Sequence, residues 1–306
     1  MEGTLPGEPS LPFYVRCNRL RAQQPTGTLM VMAVATLVAY RCWDLLSPAA
    51  LSWLLTAYAL CLLDLVWRRR WPTSYRRWRE ALVALLWLNC FRAAAPWSLM
   101  SRFLDHLGPQ AVGGGMAAHA ARLLFASGAP QMAVHLLALR MRLSVGALVQ
   151  LAVVAASLPH NPAICAAAPL AHPRAQQFTR QLYLLLAAVA SWVGPAHGQG
   201  ATPSPEQQCA VLLTWLRVSG ALLAPLMWQL LSEARLFRRH QAQRRQAGMA
   251  LERGLHAAVY SAVASLSQGR GLLHVLIVIW LCLVVSWTLS ALLAMAVAPW
   301  QLPMPA

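Results

Sequence analysis

Arg68–Arg69–Arg70–Trp71–Pro72–Thr73–Ser74–Tyr75–Arg76–Arg77–Trp78–Arg79 holds six arginines in twelve residues and lies between two apolar runs, Pro48 to Trp67 and Ala81 to Met100. Guanidinium groups at that density do not enter hydrocarbon. A chain with greasy segments on both sides must therefore bring this stretch to a membrane surface. Short arginine-rich loops stay on the cytoplasmic face, so residues 68–79 predict both insertion and the orientation of the flanking segments.

Working outward, the composition agrees. Of 306 residues, 58% are hydrophobic and 11% charged, where a soluble domain carries about 25% charged residues. The mean hydropathy is +0.49. No polar stretch is long enough to be a soluble domain. The chain reads as an N-terminal cytoplasmic segment, 1–26, a single all-α transmembrane domain, 27–299, and a short tail, 300–306. All 25 basic residues are arginine and the net charge is +16. In a membrane protein that excess marks loops facing an anionic leaflet, so membrane lipids, not nucleic acid, are the expected partners. The sequence names no particular membrane: plasma membrane and endomembrane both fit.

Candidate spans follow from apolar length. They run about Thr28–Leu46, Ala49–Trp67, Glu80–Met100 with a kink at Pro96, and Gln110–Leu139 with a break at Gly128–Ala129–Pro130. Further spans run about Leu143–Leu158, Cys209–Leu231 and Leu272–Ala298. Arg16, Arg19 and Arg21 precede the first span and place the N-terminus inside. The apolar run Leu182–Val193 has only twelve residues, a length more typical of re-entrant or surface segments. If it crosses, the arginine-free stretch Ala196–Gln208 becomes cytoplasmic and the six arginines of 235–253 lie outside, inverting the charge rule. Treated as non-crossing, it leaves about seven spans, N-terminus inside and C-terminus outside, with arginine-rich cytoplasmic loops at 68–79 and 233–271. The alternative is about eight spans.

Few residues carry chemistry. Arg92, Arg122 and Arg217 lie deep in three spans with no acid at comparable depth, and Asn89 and His119 share helix faces with the first two. This set is the candidate binding site for an anionic ligand such as a carboxylate, phosphate or lipid headgroup. The competing reading is structural: snorkelling, or hydrogen bonds to carbonyls that Pro96 and Pro225 leave unpaired. Cys165 and Cys209 fall on one outer side in the seven-span reading and can then form a disulfide. No Cys-x-x-Cys pair, His-Glu-x-x-His motif, Gly-x-Ser-x-Gly or phosphate-binding glycine loop occurs, so the sequence supports no metal site, cofactor or enzyme.

Three details together resemble the insect gustatory and odorant receptors and their gustatory-receptor-like relatives. Gln110–Leu139 is overlong, the sixth span runs on through Glu233–Arg245 into a second helix at Ala250–Ser267, and little chain follows Ala298. The resemblance implies a chemoreceptor-like sensor or ligand-gated channel that forms homo-oligomers through 233–268. That family's last span carries Thr-Tyr and Gln-Phe pairs where this chain reads Ser286–Trp287–Thr288–Leu289–Ser290, so no functional residue carries over. An anion- or lipid-binding carrier and a structural membrane subunit are the other function classes the sequence leaves open.

Overall fold

A computed structural model describes residues 11–23, 26–92, 94–107, 115–139, 141–191, 203–266 and 272–297. No strand occurs among them. The helices are α1 (Phe13–Gln23), α2 (Thr26–Arg41), α3 (Pro48–Arg70), α4 (Pro72–Arg92), α5 (Ala94–Leu107), α6 (Gly115–Ala126), α7 (Ala129–Leu139) and α8 (Leu143–Ser157). There follow two short helices, α9 (Asn161–Cys165) and α10 (Ala168–Ala171), then α11 (Pro173–Ser191), α12 (Pro205–Leu216), α13 (Ala224–Gln246), α14 (Leu255–Leu266) and α15 (Leu272–Val297). The tails at 1–10 and 298–306, and the segment 192–202, lie outside the described residues.

The arginine stretch is not a loop. It forms the tips of a helical hairpin in which α3 runs through Arg70, α4 begins at Pro72 and Trp71 alone separates them. Arginine is a good helix former, and three of them in the last turn of α3 meet the negative end of its dipole. Pro72 has no N–H to continue α3 and a φ suited to starting α4. The hairpin is pinned from inside by Asp64, which is 1% exposed. It accepts hydrogen bonds from Arg68 at 2.7 Å, Thr28 Oγ1 at 2.6 Å and the Tyr75 hydroxyl at 2.7 Å.

The N-terminal segment, polar in sequence, supplies α1. Pro12 leads in, and Phe13 and Cys17 lie on one face at i, i+4. That face packs on Phe237 and Ala257. Asn18 of α1 reaches the Arg76 carbonyl at 3.1 Å and Arg21 reaches Glu233 at 2.5 Å. One end of the bundle thus gathers the arginines of α3, α4 and α13. The opposite end carries a Cys165–Cys209 disulfide joining α9 to α12.

Among the described residues, three helical stretches are long and apolar enough to cross a bilayer: Pro48–Arg70, Leu143–Cys165 and Pro205–Gln246. Thr26–Arg41, Ala129–Leu139 and Leu255–Ser265 are shorter apolar helices, and Trp280–Ala294 is an apolar part of the 26-residue α15. Two of the expected spans are broken helices. The segment Glu80–Met100 divides between α4 and α5, and Gln110–Leu139 divides at Gly128, whose φ of +68° is a left-handed turn that glycine adopts without strain. Pro205–Gln246 is one continuous 42-residue helical stretch, about 63 Å long, against a hydrocarbon core of about 30 Å. Within it, Arg217–Leu223 winds as a π-helix. The twelve-residue run Leu182–Val193 lies largely in α11, which spans 19 residues and packs on α12, α15 and α6.

Candidate functional site

Where the π-helix begins, Arg217 is fully buried. Its Nε donates to the Ser127 carbonyl at 2.8 Å and one terminal nitrogen donates to the Ser157 carbonyl at 2.6 Å and to Asn161 Oδ1. Trp97 lies against the guanidinium, 4.6 Å from ring centroid to Cζ. Ser157 ends α8 and Ser127 follows the last residue of α6. The carbonyls there lie at the C-terminal ends of α8 and α6, the negative ends of the two helix dipoles. A cation in low dielectric is therefore held by dipoles rather than by a carboxylate. Asn161 completes the arrangement: its Nδ2 donates to Thr214 Oγ1 at 2.9 Å, so both ends of its amide are engaged beside the disulfide.

Pro225 creates a second interior feature. It has no N–H for the carbonyl four residues back, Ala221. Gln150, fully buried on α8, donates to that carbonyl at 2.6 Å. At the C-terminus of α7, Arg79 gives the Leu139 carbonyl a hydrogen bond of 2.7 Å, and Arg238 does the same for Ala264 near the end of α14. Arginine from one helix closing the C-terminus of another is a recurrent device in this bundle.

The residues singled out in sequence do not gather round a ligand. Arg217 is held as described. His119, fully buried, pairs with Thr179 Oγ1 at 2.9 Å and lies near the Phe178 ring. Arg122 sits half-buried one turn along α6. The Asn89 carbonyl accepts from the Trp53 indole at 2.9 Å. The side chain of Arg92 lies outside the described residues.

A cavity of about 350 Å³ opens instead between α2, α3, α5 and the α6–α7 break. Its walls are apolar: Val31, Val34, Trp97, Met100, Phe103 and Phe125 among others. Polar character is confined to Arg41, Gln131 and His135. The Nδ1 of His135 lies 2.7 Å from the Gln131 carbonyl. A carbonyl only accepts, so Nδ1 carries the proton. Gln131 Oε1 is enclosed and has no hydrogen-bond partner among the described residues. The sequence signal for this wall was Gln131 and His135 at i, i+4 on one face; Arg41 at the other wall gave none. Pockets of about 300–1,000 Å³ with a few polar groups on apolar walls suit small-molecule ligands.

At the arginine-rich end the electrostatics differ. Glu233 accepts from Arg21, from the Tyr260 hydroxyl at 2.5 Å and from Gln229 at 2.9 Å. Burial, then the hydrogen bond to Glu233, pushes the Tyr260 hydroxyl pKa upward. Arg16 donates to His240 Nδ1 at 2.9 Å, which leaves Nε2–H to face Glu252 at 3.0 Å. Burial pushes the Cys17 thiol up to about 11. Among the described residues no cluster of His, Cys, Asp and Glu could hold a metal ion. Comparison of the chain with known protein families, with curated proteins and with solved structures finds no match to any of them.

Proposed function

We propose that this is an integral membrane protein of about seven spans that binds a lipophilic small molecule inside the bundle, as a chemoreceptor-like sensor does. Its arginine-rich end faces the cytoplasm. The observation that carries the reading is the apolar cavity between α2, α3, α5 and α7, with Gln131 Oε1 enclosed and unpartnered at its wall. That oxygen favours a lipophile with one hydrogen-bond donor. The carrier reading through three converging arginines gains less support, because Arg217 already has protein acceptors. Arginines concentrated at one end, and a disulfide at the other, support the orientation. Homo-oligomers through 233–268 belong to the same reading.

The test is photolabelling of the full-length protein in nanodiscs with a long-chain alcohol bearing a diazirine. We expect adducts on Val31–Val38 and Met100–Phe103, and their loss when Ala35→Trp fills the cavity. Labelling confined to lipid-facing positions such as Leu148 and Leu151, which are exposed on α8, would overturn the reading.

A further inference from the structure

The arginine-rich end carries a second opening, unrelated to the apolar cavity. It lies between α1, the first turn of α4 and the start of α8, holds about 310 Å³ and is lined by Tyr14, Val15, Asn18, Thr73, Arg76 and Arg142. Two guanidinium groups border it from different helices, and the protein engages each only at Nε. Arg142 Nε lies 2.9 Å from Glu80 Oε1 as an ion pair, and the guanidinium lies over the Tyr14 ring. Arg76 donates Nε to the Pro72 carbonyl at 3.2 Å. Their terminal nitrogens have no other partner among the described residues, and both side chains are exposed.

Two further groups share the cleft. α4 starts at its edge with Pro72, which has no N–H, so the Thr73 and Ser74 amides of its first turn lack helical acceptors and carry the positive end of the dipole. Asn18 donates Nδ2 to the Arg76 carbonyl, while its Oδ1 is enclosed with no partner among the described residues. Two arginine forks beside a helix N-terminus match the charge and geometry of a phosphate. They do not satisfy Asn18, whose free oxygen calls for a donor such as a hydroxyl. The cleft volume lies in the range of small-molecule sites.

We infer that this cleft binds a polyol phosphate, with the phosphate on Arg76 and Arg142 and, once the Asn18 side chain turns toward the cleft, a ring or chain hydroxyl donating to its Oδ1. The phosphate comes either from a lipid headgroup or from a soluble polyol phosphate. The inference is independent of the apolar cavity and of what that cavity holds.

The experiment uses the full-length protein in phosphatidylcholine nanodiscs, titrated with dioctanoyl phosphatidylinositol, inositol 1-phosphate or inorganic phosphate. Saturable binding of either inositol compound is expected. If the lipid alone binds, the headgroup is the source; if inositol 1-phosphate binds as well, the soluble compound suffices. Arg76→Gln and Arg142→Gln should each weaken binding about tenfold, the loss of one charge-assisted hydrogen bond. Asn18→Leu should weaken the inositol compounds and leave inorganic phosphate unchanged. Should Arg142→Gln fail to fold, Arg76→Gln carries the test, since its side chain bonds only within its own helix. Arg239→Gln, an exposed charge on α13, controls for bulk charge. Equal loss with Arg239→Gln, no loss with Arg76→Gln, or inorganic phosphate binding as tightly as inositol 1-phosphate would each overturn the inference.

Discussion

Arg217 and Arg21 hold the same side chain in opposite kinds of surroundings. Arg217, in the middle of the bundle, meets two helix-end carbonyls, an amide oxygen and an indole face. Arg21, at the arginine-rich end, meets the carboxylate of Glu233, which also takes Tyr260 and Gln229. A buried ion pair removes two charges from water, and its desolvation can exceed the Coulomb gain. Using dipoles in the interior, the bundle buries Arg217 without a carboxylate, whereas the buried carboxylates Asp64 and Glu233 are each paired with an arginine that is itself partly exposed. The interior site therefore depends on the geometry of broken helices, and the end site on charge.

Three measurements probe that contrast. The largest effect is expected from Arg217→Met, which keeps much of the volume and removes every donor. It leaves the Ser127 and Ser157 carbonyls and Asn161 Oδ1 without this partner, at about 1–3 kcal/mol for each buried group not recaptured. We expect the unfolding midpoint in detergent to drop sharply and to respond little to salt. A loss below about 1 kcal/mol would mean that the helix ends find other donors. Asp64→Asn comes next. The amide can still accept from Thr28 but no longer balances Arg68, for an expected loss of about 2–3 kcal/mol in the same melt. A smaller effect is expected from Glu233→Gln, about 1 kcal/mol, because Arg21 is 13% exposed and can turn to water. Its sharper readout is Cys17. With the thiol held near 11 by burial, thiolate is scarce at pH 8 and alkylation is slow. Freeing α1 exposes the thiol and lowers its pKa toward the ordinary value, so Glu233→Gln should accelerate alkylation. Unchanged alkylation would show that Phe13 and Phe237, rather than charge, hold α1 in place.

Helix content, the break at Gly128 and the run of the sixth apolar segment into an arginine-rich helix were legible because each follows from a local signal: apolar length, a glycine before proline, charge density. The helical state of Arg68–Arg79 was not legible, since charge density says where a segment lies and not whether it is wound. α1 was hidden for a related reason. Its apolar face is narrow, chiefly Phe13 and Cys17, and only contact with Phe237 and Ala257 makes it a core. Depth identified Arg217 as unusual, but its partners sit 56, 60 and 90 residues away in sequence, beyond any periodicity. The cavity was invisible because its walls come from helices whose outward residues, such as Leu55, are equally apolar.

The π-winding at Arg217–Leu223 has a consequence for the whole arginine-rich end. A π-turn takes up one residue more than an α-turn, so α13 beyond it is turned by about 100° from where a straight helix would place it. Glu233, Phe237 and His240 face α1 and α14 in that offset orientation. Removing a single residue such as Ser219 would unwind the offset and swing that row of side chains away from Arg21 and Phe13. The angular registration of the arginine-rich end is thus set about three to four turns into the interior, in the same π-helix where Arg217 ties together the ends of α6 and α8.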